Sequence, residues 1–160
     1  MNVRPAELKD RERIQEILTT CMLFTEEEVR CAVELVDIFL DPTDPESADY
    51  ETAVVEDDGV VHGYVTFGPT PLTDGVYDLY WIAVDRMQQG RGFGQVLLRF
   101  VENDVKRRNG RMLLIETSSK GSYASTMRFY ERAGYEEISR IKDFYRIEDD
   151  KLVFCKRLTA

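Results

Sequence analysis

The sequence predicts a single α/β domain, residues 1–160, built on a mixed, mostly antiparallel central sheet with helices on both faces. Three observations carry that expectation. A chain of 160 residues supports one hydrophobic core. Strand-like and helical patterns alternate in the order β α α β β β α β α β β. One strand passes to the next through a helix, which makes that pair parallel, whereas a tight hairpin makes another pair antiparallel. With 43% hydrophobic and 32% charged residues, the composition excludes a disordered, collagen-like or disulfide-scaffold protein.

The elements follow in order. Val3-Arg4-Pro5 suits a short edge strand, and Asp10 caps a helix whose apolar positions are Ile14, Ile17 and Leu18. Thr25 and Glu28 form a capping box ahead of a second helix with Val29, Ala32, Val33, Val36 and Leu40 on one face, stopped by Pro42. The acidic, proline-bearing stretch 41–49 is a loop. Residues 50–56 and 60–67 are β-rich runs around Asp57-Asp58-Gly59, a hairpin turn signal. After the breakers at 68–75, the spacing predicts a strand over 76–84, a glycine-rich turn and a helix over 94–108. That helix buries Val96, Leu97, Phe100, Val101 and Val105, pairs Glu102 with Lys106, and ends at Asn109-Gly110. A strand over 111–117 completes the crossover. A helix over 122–133 closes on Gly134, and strands over 135–141 and 151–158 end the chain, joined through 143–150.

The formal charge of −9 disfavours nucleic acid and anionic membranes as partners, and weakly suits a cationic substrate. No apolar run approaches a membrane span, and the first residues lack the pattern of a signal peptide, so a cytoplasmic protein is expected. Cys21, Cys31 and Cys155 are odd in number and lack ligand spacing, which points to reduced, buried thiols and no metal. The sole histidine, His62, lies in the hairpin, remote in sequence from every cysteine, which argues against a covalent cysteine route.

The most informative stretch is Gln89-Gly90-Arg91-Gly92-Phe93-Gly94, between a strand and a helix. Closely spaced glycines let a backbone approach a ligand, and free amides in the first helical turn favour an anion such as phosphate. A dinucleotide fingerprint would need glycine where Gln95 stands, and the Gly-Lys-Ser/Thr ending of a P-loop is missing. The plain alternative is a tight turn that uses glycine for positive φ.

Gln89-x-x-Gly92-x-Gly94, after the strand Asp78-Leu79-Tyr80-Trp81-Ile82-Ala83-Val84, resembles the acetyl-CoA-binding motif of the GNAT superfamily of N-acetyltransferases. Phe129-Tyr130-Glu131-Arg132-Ala133-Gly134-Tyr135 is similar to a second motif of that family. The resemblance implies that the two parallel strands splay and that the cosubstrate is acetyl-CoA. Gln89, Gly90, Arg91, Gly92, Phe93 and Gly94 would hold its diphosphate. Ile82, Ala83 and Val84 would pair with its pantetheine arm, with Ser118, Ser119 and Tyr123 on the far side. Tyr130 would protonate the leaving sulfur; read from its spacing alone, it joins Tyr123 and Met127 on a buried stripe. Asp78 occupies a position where the family often carries an acid. Strict alternation puts it on one face with Tyr80, Ile82 and Val84, and Glu116 is the rival general base.

These implications describe an enzyme that acetylates a primary amine, on a small molecule or a peptide, by direct attack in a ternary complex. A homodimer formed through the carboxy-terminal strands, common in that family, is a further expectation. The alternative is a non-catalytic sensor or interaction module that binds coenzyme A; a nicotinamide-dependent reductase is disfavoured by Gln95.

Overall fold

The computed structural model describes residues 1–158. Eleven principal elements follow one another: β1 (Asn2–Pro5), α1 (Arg11–Thr20), α2 (Glu26–Leu40), β2 (Glu51–Asp57), β3 (Val60–Pro69), β4 (Val76–Val84), α3 (Phe93–Arg107), β5 (Met112–Ser118), α4 (Ala124–Arg132), β6 (Glu136–Arg146) and β7 (Asp149–Arg157). The strands form one sheet in the order β1-β2-β3-β4-β5-β7-β6. Only β4 and β5 run parallel; every other neighbouring pair is antiparallel.

Two apolar layers sandwich the sheet. On one side Leu97, Val101 and Val105 of α3 and Tyr130 of α4 meet Leu79, Leu113, Ile115 and Phe154. On the other, Ile14, Ile17 and Leu18 of α1 and Ala32, Val33 and Val36 of α2 cover Val54, Tyr64 and Ala83. Each fully buried leucine or isoleucine contributes roughly 2 kcal/mol, so both helical layers are firmly held. The start of α2 follows its sequence signal: Glu28 N donates to Thr25 Oγ1 at 3.2 Å, and Thr25 N donates to Glu28 Oε2 at 2.7 Å. Such reciprocal capping satisfies two amides that the helix leaves free.

Four expectations need correction. Asp10 precedes α1 but its side chain does not cap it. The buried carboxylate instead accepts from Arg4 Nη1 and Nη2 at 2.7 and 3.0 Å and from Glu7 N at 2.8 Å, because Arg4 on β1 offers a stronger, charged donor. Glu102 does not pair with Lys106; it is buried and accepts from Tyr135 Oη at 3.1 Å and Lys156 Nζ at 2.9 Å. Cys31 is exposed, Cys21 is half-buried and Cys155 alone is buried. The linker expected over 143–150 is mostly strand: β6 runs to Arg146 and pairs it with Asp149. All eleven residues of β6 are exposed, so the strand has no buried face to produce an alternating pattern. No described helix is long and apolar enough to cross a membrane.

Candidate active site

The site forms where the parallel pair comes apart. β4 and β5 pair from Val76–Met112 to Leu79–Ile115 and no further. Beyond that point β4 continues beside β3 as far as Val84, and β5 continues beside β7 as far as Ser118. The facing edges of Ile82–Val84 and Glu116–Ser118 therefore keep backbone donors and acceptors free for an extended ligand.

A bulge in β4 re-aims its side chains at the same place. Thr66 pairs with Trp81 and Phe67 with Leu79, which leaves Tyr80 as the extra residue. Alternation consequently changes phase. Tyr77, Leu79, Ile82 and Val84 face the α3 and α4 layer, whereas Trp81 and Ala83 face α1 and α2. Asp78, next to Leu79, lies on the α1 and α2 side of the sheet, opposite Ile82 and Val84, and the shared face expected from strict alternation is overturned.

The glycine-rich turn opens onto the free edge. Gly90 and Gly92 have φ of +78° and +91°, and a Cβ at either would meet no atom within 4 Å. Their use is conformational, and the space around them is free for a ligand. Val96 N is the first α3 amide to reach a carbonyl, Gly92 O, at 3.0 Å, so the amides of Phe93, Gly94 and Gln95 remain available. Gly94 lies against Phe129 of α4, 3.5 Å from the position of a Cβ. Gln89 is tied loosely to Val84 O, and Arg91 donates to Gln88. These residues fit a diphosphate joined to an extended, amide-bearing arm.

Tyr130 belongs to the α3 and α4 layer that Ile82 and Val84 face, and is only 3% exposed. Its ring packs against those of Tyr135 and Phe154 at 6.0 and 5.9 Å, and its hydroxyl has no hydrogen-bond partner among the described residues. Burial holds its phenol above the ordinary tyrosine value, so it stays protonated. Tyr123 donates to Leu23 O at 3.4 Å, and burial raises its phenol too. Ser118 and Ser119 leave the free edge by their side chains: Ser118 Oγ donates to buried Asp149, and Ser119 Oγ accepts from Asp150 N.

Asp78 is half-buried and accepts from Thr70 Oγ1 at 2.6 Å. Burial, aided by the charge of Glu116, raises its carboxyl above the usual range, while Thr70 and Lys151 pull it back. Glu116 is exposed and held by Lys151 Nζ at 2.8 Å. Lys151 also lies over the ring of Phe144, 4.9 Å from its centre. Sequence reasoning missed Thr70, which lies among the turn residues after β3, and Lys151, which stands opposite Ser118 and reaches diagonally to Glu116, a non-local property. Among the described residues no cluster of His, Cys, Asp or Glu could hold a metal.

Comparison with known proteins places this geometry. The family model described as an acetyltransferase (GNAT) domain matches residues 48–137. A protein assigned to the GNAT family of acetyltransferases from Desulfovibrio desulfuricans is 39% identical over 99% of each chain, with a TM-score of 0.92. The chain belongs to the GNAT family of acetyltransferases. YncA from Salmonella typhimurium, solved with its cofactor acetyl-CoA, is 20% identical over 100% of this chain and 95% of its own, with a TM-score of 0.76. The aminoglycoside 6'-N-acetyltransferase from Enterococcus faecium is 14% identical over 100% of this chain and 98% of its own, with a TM-score of 0.77. At those identities the two structures show the shared fold. No curated protein matches the chain.

Proposed function

We propose that the chain transfers the acetyl group of acetyl-CoA to a primary amine by direct attack within a ternary complex. The observation that carries the proposal is the free edge of Ile82–Val84 ending beside the open amides of Phe93, Gly94 and Gln95, with Tyr130 buried in the layer that Ile82 and Val84 face. Acetyl-CoA supplies an activated thioester. The turn from Gln89 to Gly94 would hold its diphosphate, and Ile82, Ala83 and Val84 would hold its arm, opposite the edge at Ser118 and the ring of Tyr123.

The chemistry needs a neutral amine and a protonated leaving thiol. Asp78, with its raised carboxyl facing the α1 and α2 side, takes the ammonium proton through a water molecule; Glu116 is the alternative base. As the nitrogen–carbon bond forms and the carbon–sulfur bond breaks, Tyr130 gives its proton to sulfur, and the surplus proton on nitrogen passes through water to restore the phenol. The acceptor is a small molecule or peptide that carries a cationic amine, consistent with the acidic surface. Its route runs past the first helices and the Phe144-Tyr145 segment. The uncovered edge of β6, bearing Ile138, Ile141 and Phe144, supports pairing of two copies.

A panel of primary amines incubated with acetyl-CoA, read by release of free thiol, tests the proposal. Amine-dependent release supports it. Saturable acetyl-CoA binding without release from any amine would leave a binding module instead.

A further inference from the structure

Glu116 and Lys151 lie on the face of the sheet that Asp78 shares. Leu113 and Ile115 of β5 and Leu152 and Phe154 of β7 enter the α3 and α4 layer, so Glu116, which follows Ile115, and Lys151, which precedes Leu152, project the other way. There Lys151 Nζ lies 2.8 Å from Glu116 Oε1 and 4.9 Å from the centre of the Phe144 ring. A bulge builds the aromatic wall. Ile141 pairs with Lys151 and Arg146 with Asp149, so residues 142–145 stand against Asp150 alone. Asp143, at φ +52°, fixes this arch: its amide donates to Asp150 Oδ1 at 3.0 Å, and its Oδ1 accepts from Glu148 N at 2.6 Å. Tyr145 stacks edge-on against Phe144, with ring centres 5.0 Å apart. The ammonium is more covered than its walls, the Lys151 side chain being 19% exposed whereas Glu116 and Phe144 are open to solvent.

A carboxylate beside an aromatic face is a receptor for an aliphatic ammonium. Here the chain supplies the occupant itself and holds it weakly, because ion pairs and cation–π contacts open to solvent contribute little. A free ammonium therefore exchanges with Lys151. A nitrogen held here keeps its proton, since the neighbouring negative charge favours the charged form, so it is not the nitrogen that attacks. That task belongs to a nitrogen beside Asp78, one strand away, which pairs with Leu114 two residues before Glu116. We infer that Glu116 and Phe144 form a subsite for a second, non-reacting ammonium of the acceptor, and that Lys151 fills it while no acceptor is bound. The inference rests on the acetyl-transfer reading with Asp78 as base, and deepens it by naming acceptors with two cationic groups, of which an aliphatic diamine is the simplest.

Tetramethylammonium, which has no N–H proton to lose and accepts no acetyl group, probes the subsite by calorimetric titration. Lys151→Met should bind it about tenfold tighter than the wild type, as expected when about one wild-type molecule in ten has the subsite open. Lys151→Arg, which keeps an occupant, and Lys106→Met, which removes the same charge from an exposed position of α3, should match the wild type. Adding Phe144→Leu to Lys151→Met should abolish the gain. In kinetics, the ratio of kcat/KM for an aliphatic diamine to that for the n-alkylamine of equal length should rise about tenfold in Lys151→Met, through KM; a ratio taken at one pH cancels any change at Asp78. Retained acetyl-CoA binding marks each variant as folded. Equal titrations of the wild type and Lys151→Met, a gain that Lys106→Met reproduces, or one that survives Phe144→Leu overturns the subsite. If acetyl-CoA binds but none of these proteins acetylates any amine, the transfer reading fails and the acceptor's place in the subsite falls with it, whatever the titration shows. Acetylation with an unmoved ratio overturns the subsite alone.

Discussion

Thr70 Oγ1 donates a 2.6 Å hydrogen bond to Asp78 Oδ2, so the carboxylate proposed as the general base is stabilised by a hydroxyl from the turn after β3. Burial acts in the opposite direction and prevails, which leaves Asp78 above its ordinary value of 3.8. The rate should accordingly climb with pH along an acid limb above the usual aspartate range. Thr70→Val removes the donor to the charged form and should move that limb up by about one pH unit, measured as kcat/KM for the amine from pH 5 to 9. A limb that stays in place would remove Asp78 as the base. The linkage to stability has the opposite sign from that of a paired carboxylate. Native Asp78 holds its proton where the unfolded residue has lost it, so stability falls as pH rises through that window, and Asp78→Asn should remove the fall.

Tyr130→Phe should lower kcat about a hundredfold while acetyl-CoA binding stays within about twofold, because a proton donor acts mainly on the transition state. Its hydroxyl has no partner among the described residues, so thermal stability should hold. Turnover equal to the wild type would deny the acid role.

Gly92→Ala places a side chain in open space but forces φ +91° on a residue with a Cβ. A penalty of roughly 1–2 kcal/mol, the cost of left-handed backbone, should reposition the first amides of α3 and raise the KM for acetyl-CoA about tenfold. An unchanged KM would show that the turn does not hold the cosubstrate.

Arg4→Met strips the buried Asp10 of its bidentate partner and should cost about 3 kcal/mol in urea unfolding. In the wild type Arg4 and Glu7 N together hold Asp10 below its ordinary 3.8, so the contribution is present above that value and fades as pH falls through the lower folded one. The variant should lack this acid-side loss.

If β6 edges pair, Ile138→Lys with Ile141→Lys should convert a dimer to a monomer in sedimentation equilibrium without changing turnover per chain; a wild type that sediments as a monomer would dispose of the dimer.

What could be read in advance was local. Thr25 and Glu28 declare a helix start within four residues, and the glycines from 90 to 94 announce a strand-to-helix turn whose amides are free. What stayed hidden depends on partners far along the chain. Arg4 draws Asp10 away from capping, Lys156 and Tyr135 draw Glu102 away from Lys106, and Tyr80 is a bulge only because Thr66 and Phe67 stand opposite Trp81 and Leu79. The family motifs pointed to the loop and Tyr130 as candidates, whereas the face on which Asp78 lies required the register of β3 against β4.

The extra residue at Tyr80 gives β4 two inside-outs in nine residues. Its first half is locked into a ladder with β5, and its second half, past the bulge, leaves its edge toward β5 unpaired. Deleting Tyr80 would make Leu79 and Trp81 successive residues on opposite sides and restore plain alternation, with Trp81 and Ala83 still toward α1 and Ile82 and Val84 still toward α3. The bulge therefore keeps each face where regular pairing would put it, and adds one residue of length and a local twist just where β5 stops pairing with β4.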